Sequence, residues 1–210
     1  MQCGNIVYKA VQTKKHFNNL VKTCFTDFVY KDETMQINDI YQEIIKDNER
    51  NKKIAADIEQ AITEKRSTIV LTERTEHAQI LYDLLKDKTK NLFLITGKMK
   101  NKDIKIILEN IKNSPKTEEL VIISTGKYIG EGFDEARLDT LFLTMPISWK
   151  GTLIQYAGRL NRDYENKQDV IIYNYADIKV PVLDKMYKRR LKGYKLLNYE
   201  FFEAEKQLQL

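Results

Sequence analysis

The sequence predicts an α/β domain with a mostly parallel central sheet flanked by helices. Three observations predict it. Short, continuous apolar runs recur from residue 67 onward (STIVLTE, NLFLITG, ELVIIST, DTLFLTM, DVIIYNY), as strands buried on both faces require. Between most of these runs lie segments whose apolar residues repeat at helical spacing, and strand–helix alternation with short connections is the pattern of a doubly wound parallel sheet. Finally, the segments after the runs are rich in Thr, Ser, Gly and Lys (TERTE, TGKMKNK, STGKYIGEGFDEAR, TMPISWKG), and such sheets bind ligands where their strands end.

The elements follow in order. Residues 1–35 are irregular, with the short apolar stretches NIVYKAV and TCFTDFVY, and read as one or two short strands and a connecting segment. Ile37, Ile40, Tyr41, Ile44 and Ile45 mark one helix, and Ile54, Ala55, Ile58, Ala61 and Ile62 a second. Asp47 is placed to cap the second. After the strand at Ser67 comes the amphipathic helix HAQILYDLLKD, then the strand NLFLITG. The helix DIKIILENIKN ends near Ser114-Pro115. The strand ELVIIST leads into a loop with Gly126, Gly130 and Gly132, and the strand DTLFLTM stops at Pro146. GTLIQYAGRLN is a helix, DVIIYNY a strand, and Pro181 opens a long last helix.

Bulk properties narrow the function classes. No apolar run approaches the roughly 18–20 residues of a membrane span, and the start MQCGNIVYKAVQTKK lacks the apolar core of a signal peptide. A cytoplasmic protein without a membrane partner is expected. Cys3, Cys24, His16 and His77 match no finger spacing, so no metal site is expected. A net charge of +5 permits a polyanionic partner without requiring one.

Two stretches carry candidate chemistry. In STGKYIGEGFDEARLD, the glycines let a backbone approach a ligand, Asp134 can accept from a ribose, and Ser124 and Thr125 can meet a phosphate backbone. The bland alternative is a loop that needs glycine only to turn. In QYAGRLNRD, a helix from about Gly151 sets Gln155, Gly158, Arg159 and Arg162 on one face. Gly158 costs that helix about 1 kcal/mol against alanine. Planar guanidinium groups grip phosphate through paired hydrogen bonds, and two on one face can brace a γ-phosphate as charge develops on it. The alternative is a solvated basic face paired with Asp163 or Glu165.

The order of these stretches resembles the superfamily 2 helicases and translocases. Gly130-x-Gly132-x-Asp134 looks like their motif V. Gln155-x-x-Gly158-Arg159-x-x-Arg162 looks like motif VI, QxxGRxxR. IVLTER at 69–74 is similar to motif IV, and LITGKM at 94–99 to the motif that follows it. The phrasing EGFD and ISWKGTLxQYAGRL is nearest the XPB-like and restriction-helicase branch. The resemblance covers residues 67–176 and implies a three-layer RecA-like domain of the P-loop NTPase fold, second lobe. It divides the chain into an inter-domain linker with junction strands (1–35) and a helicase C-terminal RecA-like domain with a C-terminal helix (36–210).

It also implies roles. Arg162 resembles the arginine finger, Arg159 a second γ-phosphate contact, and Gln155 the polar residue of motif VI; these are the catalytic candidates. Gly130, Gly132, Asp134 and Gly158 are the nucleotide-site candidates. Thr72, Arg74, Thr96, Gly97, Lys98, Ser124, Thr125, Ser148 and Lys150 are the nucleic-acid candidates. The phosphate-cradling GxxxxGK[ST] and the acidic box of the family are missing; the resemblance places them in a first lobe. It therefore implies an ATP-dependent helicase whose ATP and Mg2+ are held mainly by that N-terminal lobe in cis. This chain alone is expected to be inactive and monomeric, with DNA ahead of RNA as the track. Two rivals stand beside it: a nucleic-acid clamp without a motor, and the C-terminal domain of a nucleotide-sugar glycosyltransferase, suggested by GEGF alone. Trp149, and the basic residues of 185–195 with Tyr187 and Tyr194, are further nucleic-acid surfaces, or else a strand-end lid and a solvated helix face.

Overall fold

The computed structural model describes residues 17–30, 36–126, 133, 135–147, 152–165 and 167–202, without the side chains of 152–155. Seven strands form one sheet: β1 (Asn18–Phe25), β2 (Ser67–Thr72), β3 (Leu92–Ile95), β4 (Leu120–Thr125), β5 (Thr140–Leu143), β6 (Asp169–Ala176) and β7 (Glu200–Phe201). Their order is β3-β4-β2-β5-β6-β1-β7, and every pairing is parallel. The helices are α1 (Ile37–Lys46), α2 (Asn48–Thr63), α3 (Thr75–Leu85), α4 (Asn101–Asn113), α5 (Thr152–Leu160) and α6 (Pro181–Leu196).

Alternation along the strands builds three layers, because successive side chains point to opposite faces. Ile69, Leu71, Ile122, Leu141, Leu143, Val170 and Ile172 join one core with Ile111 of α4, Tyr156, Ala157 and Leu160 of α5, and Tyr194 of α6. Val70, Val121, Ile123, Phe142, Ile171 and Tyr173 join the other with Ile54 and Ile58 of α2 and Leu81 and Leu85 of α3. A third cluster seats Ile40, Tyr41, Ile44 and Ile45 of α1 on Phe28, Met145, Val180 and Leu183. It lies beyond the carboxyl ends of β1, β5 and β6, so α1 closes part of the rim from which function is expected.

Local signals act as the sequence predicts. The Asp47 carboxylate accepts from the Arg50 N–H at 3.0 Å and caps α2. Pro181 opens α6, and α4 stops at Asn113, before Pro115.

Three findings differ from expectation. Residues 18–25, read as part of a linker with junction strands, form an eight-residue strand inside the sheet, paired with β6 along its whole length and with β7 on its other side. Its alternation is hidden because only Val21 and Cys24 are buried in it. β7 is too short for any pattern to announce. And α5 ends at Leu160, so Arg162 is not on the helix. The Arg162 N–H turns back to the Arg159 carbonyl at 3.4 Å, and the Leu160 carbonyl, which a continuing helix would use internally, accepts from the Lys167 ammonium at 3.0 Å.

Candidate nucleotide and nucleic-acid site

The carboxyl ends of β2, β3, β4 and β5 define a rim. At β2, Thr72 is buried, its hydroxyl 2.9 Å from His77 Nδ1. At β3, residues 96–99 make a turn closed by the Met99 N–H on the Thr96 carbonyl at 3.1 Å. Thr96 is buried in it, while Gly97 and Lys98 are exposed. At β4, the Thr125 hydroxyl accepts from the Gly97 N–H at 3.2 Å. Two expected backbone-contacting residues from adjacent strands thus touch each other. At β5, the Thr144 hydroxyl donates to the Leu71 carbonyl at 2.7 Å, and Tyr41 of α1 reaches across to the Pro146 carbonyl at 2.5 Å.

Two of the expected nucleic-acid contacts are turned inward, and a third is held against α1. Ser124 is fully buried and its hydroxyl donates to the Thr125 carbonyl. Thr72 is occupied as above. Arg74 Nη2 donates to the Asn38 side-chain Oδ1 of α1 at 2.8 Å, and its guanidinium lies 5.7 Å from the centre of the Tyr41 ring. Buried hydroxyls already bonded to protein have no donor left for a phosphate, so Thr72 and Ser124 shape the rim from beneath. Gly97 and Lys98 are the expected contacts that lie exposed on it.

Helix α5 runs alongside. The Tyr156 hydroxyl, whose burial pushes its pKa up to about 12, donates to the Gly126 carbonyl. One helical turn on, Arg159 Nη1 donates to the Phe133 carbonyl at 2.6 Å. Gly126 and Phe133 bracket the glycine-bearing stretch, so a single helix ties down both ends of it. A Cβ on Gly126 would stand 3.2 Å from the Tyr156 hydroxyl, which favours glycine there because backbone and ring must meet closely. Gly158 is exposed and a Cβ on it would meet nothing within 4 Å. Arg162 is exposed just past the helix.

Gly130, Gly132, Asp134, Ser148, Trp149 and Lys150, and the side chain of Gln155, lie outside the described residues. Of the expected site, the fold brings together Arg159, Gly158 and Arg162 on one side of Gly126 and Phe133, and Thr96, Gly97, Lys98 and Thr125 on the β3–β4 side. Among the described residues, no three His, Cys, Asp or Glu side chains gather as a metal set. In the basic segment of α6, Arg190 and Tyr194 are buried: Arg190 donates to the Asn174 side chain at 2.8 Å and to the Tyr175 carbonyl at 3.1 Å. That part of the segment is a packing face, not a nucleic-acid surface. Sequence reasoning missed Tyr156, Phe133 and Lys167. Tyr156 reads as one more apolar-face residue of its helix, and a backbone acceptor leaves no mark in a side-chain pattern.

The family model of the helicase conserved C-terminal domain matches residues 35–164. The transcript termination protein A18 of Yaba-like disease virus is 30% identical over 112 residues, 53% of this chain and 23% of that protein. Its counterpart in Yaba monkey tumor virus is 29% identical over 141 residues, 65% of this chain and 28% of that protein. The chain thus matches about a quarter of the length of these relatives. Among solved structures, T4 UvsW aligns over 91% of this chain and 42% of its own, with a TM-score of 0.69 at 15% identity. The C-terminal domain of the DEAD-box protein Dbp5 aligns over 89% of both chains at a TM-score of 0.59 and 12% identity. S. cerevisiae Dbp5 bound to RNA and ADP BeF3 aligns over 89% of this chain and 41% of that one at 0.57 and 12%. Likeness at such identities establishes the RecA-like fold.

Proposed function

From the premise that the chain belongs to the helicase conserved C-terminal domain family, we propose that it is the second motor lobe of an ATP-dependent nucleic-acid helicase or translocase. In this reading a first lobe holds the ATP phosphates and magnesium, and this lobe lends arginines across the cleft. The observation that carries it is the tie between α5 and the glycine-bearing stretch, through Tyr156 to Gly126 and Arg159 to Phe133. That tie couples the nucleotide-facing arginines to β4, whose end carries Thr125 and, through it, Gly97. A change at one is then felt at the other, as a motor needs.

The roles divide by exposure. Arg162 is exposed at the end of α5 and supplies a guanidinium to γ-phosphate charge that ATP brings when bound. Arg159 supports it while holding the loop end. Gly97 and Lys98 grip a phosphate backbone, which implies little base specificity and strong salt dependence. The track is DNA ahead of RNA, on the strength of sequence phrasing nearest the XPB-like and restriction-helicase branch. The Dbp5 structure with RNA keeps RNA in the comparison.

The test is ATP hydrolysis by the full-length product that carries this domain, with and without single- and double-stranded DNA and RNA, beside Arg162→Ala. We expect nucleic acid to stimulate turnover and the substitution to lower it about 10^3-fold or more while the melting curve is unchanged. The polymer that stimulates identifies the track. Turnover that is absent, or indifferent to Arg162, with nucleic-acid binding retained, replaces the motor by a clamp.

A further inference from the structure

Lys167 belongs to none of the sequence motifs. Its Nζ lies 2.8 Å from the Ala136 carbonyl, 2.9 Å from Leu138, 3.0 Å from Leu160 and 2.8 Å from Arg162. An ammonium has three N–H donors, so four carbonyls share them. The acceptors fall into two groups. Leu160 and Arg162 are the exit of α5, where a cation also meets the negative end of the helix dipole. Ala136 and Leu138 lead into β5. The Phe17 ring, 5.5 Å away, covers another side.

We propose that Lys167 is a positioning residue: its ammonium clamps the main chain of Arg162 to the segment entering β5 and so fixes where the Arg162 guanidinium can reach. This rests on the reading of Arg162 as the arginine that acts on ATP across the cleft. The sheet below is held by its own strand pairing. Leu160, the last residue of α5, is buried in the core beside Leu141 and Leu143, whereas Arg162 lies past the helix and is exposed, and the Lys167 ammonium ties the carbonyls of both to the segment entering β5. Burial lowers the Lys167 pKa to about 8, opposed by Asp139 and Asp163, so the clamping ammonium is the main species at neutral pH.

A double-substitution cycle tests it in the full-length product, at neutral pH with stimulating nucleic acid. Lys167→Met keeps the length and removes the donors. We expect kcat for ATP to fall roughly 10- to 100-fold, the loss typical of a misplaced catalytic group, with KM within about twofold. On an Arg162→Ala background Lys167→Met should change the residual turnover by less than about twofold, because two residues acting as one unit do not add. Lys167→Arg, which keeps a cation with donors, should recover most of kcat. In this chain alone, amide exchange of residues 160–163 should quicken in Lys167→Met while β4 and β5 stay protected. Full kcat in Lys167→Met beside a dead Arg162→Ala overturns this proposal alone, as does an equal loss on both backgrounds, unchanged exchange at 160–163, or no recovery in Lys167→Arg. Full turnover in Arg162→Ala overturns the arginine reading, and the positioning role with it.

Discussion

At the scale of single residues, the rim is set by a buried chain of hydrogen bonds whose direction can be read. Asn51 Nδ2 donates to the Ile45 carbonyl at 2.8 Å, which leaves its Oδ1 to accept from His77 Nε2 at 3.0 Å. His77 Nδ1 then accepts from the Thr72 hydroxyl, and the Thr72 oxygen from the Arg74 N–H at 3.4 Å. Acceptance at Nδ1 requires neutral imidazole. Burial, and after it the charge of Arg50, lower the His77 pKa to about 3. In the unfolded chain His77 titrates near 6.5, so between about pH 6.5 and 3 the unfolded state binds a proton that the native state refuses. Stability is therefore fully present above 6.5 and lost as pH falls below it, by at most about 1.4 kcal/mol per pH unit for this group. His77→Gln should be less stable at pH 7, and the gap to the parent should narrow between pH 6.5 and 5 in denaturant titrations. A gap that stays constant would mean the ring is not held neutral. Thr72 shows what a side-chain pattern leaves out: a threonine at a strand end looks like a phosphate contact, and here its hydroxyl meets His77 of α3.

At the scale of elements, α5 is where pattern and structure part. The sequence makes the helix and its apolar face legible, because Tyr156, Ala157 and Leu160 pack into the core at helical spacing. It makes the strands legible where both faces are buried, as in β2 and β4. The helix end was not legible, since Lys167, seven residues past Leu160, draws its carbonyl away. Neither was β1, which buries too few residues to show a period. Gly158 sits in the same helix, exposed, with open space where a Cβ would go. Nothing among the described residues needs a glycine there, and alanine should stabilise the isolated chain by about 0.5–1 kcal/mol. In the proposed motor reading, a first lobe that closes across this surface would need it. Gly158→Ala should thus raise the melting temperature of this chain and slow nucleic-acid-stimulated ATP turnover in the full-length product. Turnover that is not slowed would show that the glycine does not serve the cleft, and a fall in stability would show that it serves the fold.

At the scale of the whole molecule, the question is where the lobe begins. The family match starts at residue 35, and the sequence places a boundary between 35 and 36. The architecture argues for an earlier start. β1 pairs with β6 over eight residues and is the strand against which β7 rests. Val21 and Cys24 lie in the two different cores, and Phe28 anchors the cluster under α1. Just past β1, the Thr26 hydroxyl donates to the Asp177 carboxylate at 2.5 Å, and Arg50 of α2 grips the same carboxylate at 2.8 and 3.3 Å, both partners of that ion pair being almost wholly buried. Removing residues 1–35 would bare the long edge of β6, strand β7 and a buried ion pair together. The deletion takes the Thr26 hydroxyl from the buried Asp177 carboxylate, a hydrogen bond to a charge worth about 1.5–3 kcal/mol, and loses the burial of Val21 and Phe28 at about 1.5–3 kcal/mol each, while an exposed edge of that length invites association. Against the roughly 5–15 kcal/mol that holds a domain together, the sum is enough to unfold it. A chain of residues 36–210 should therefore show no cooperative thermal transition and should elute as aggregate on size exclusion. Residues 17–210 should melt within a few degrees of the full chain. If 36–210 instead melts cooperatively near the full-chain temperature as a monomer, β1 is an appendage and the boundary at 35 is the true edge of the lobe. If it does not, the strand before the family match is part of the domain's structural core, and any dissection of the domain must keep it.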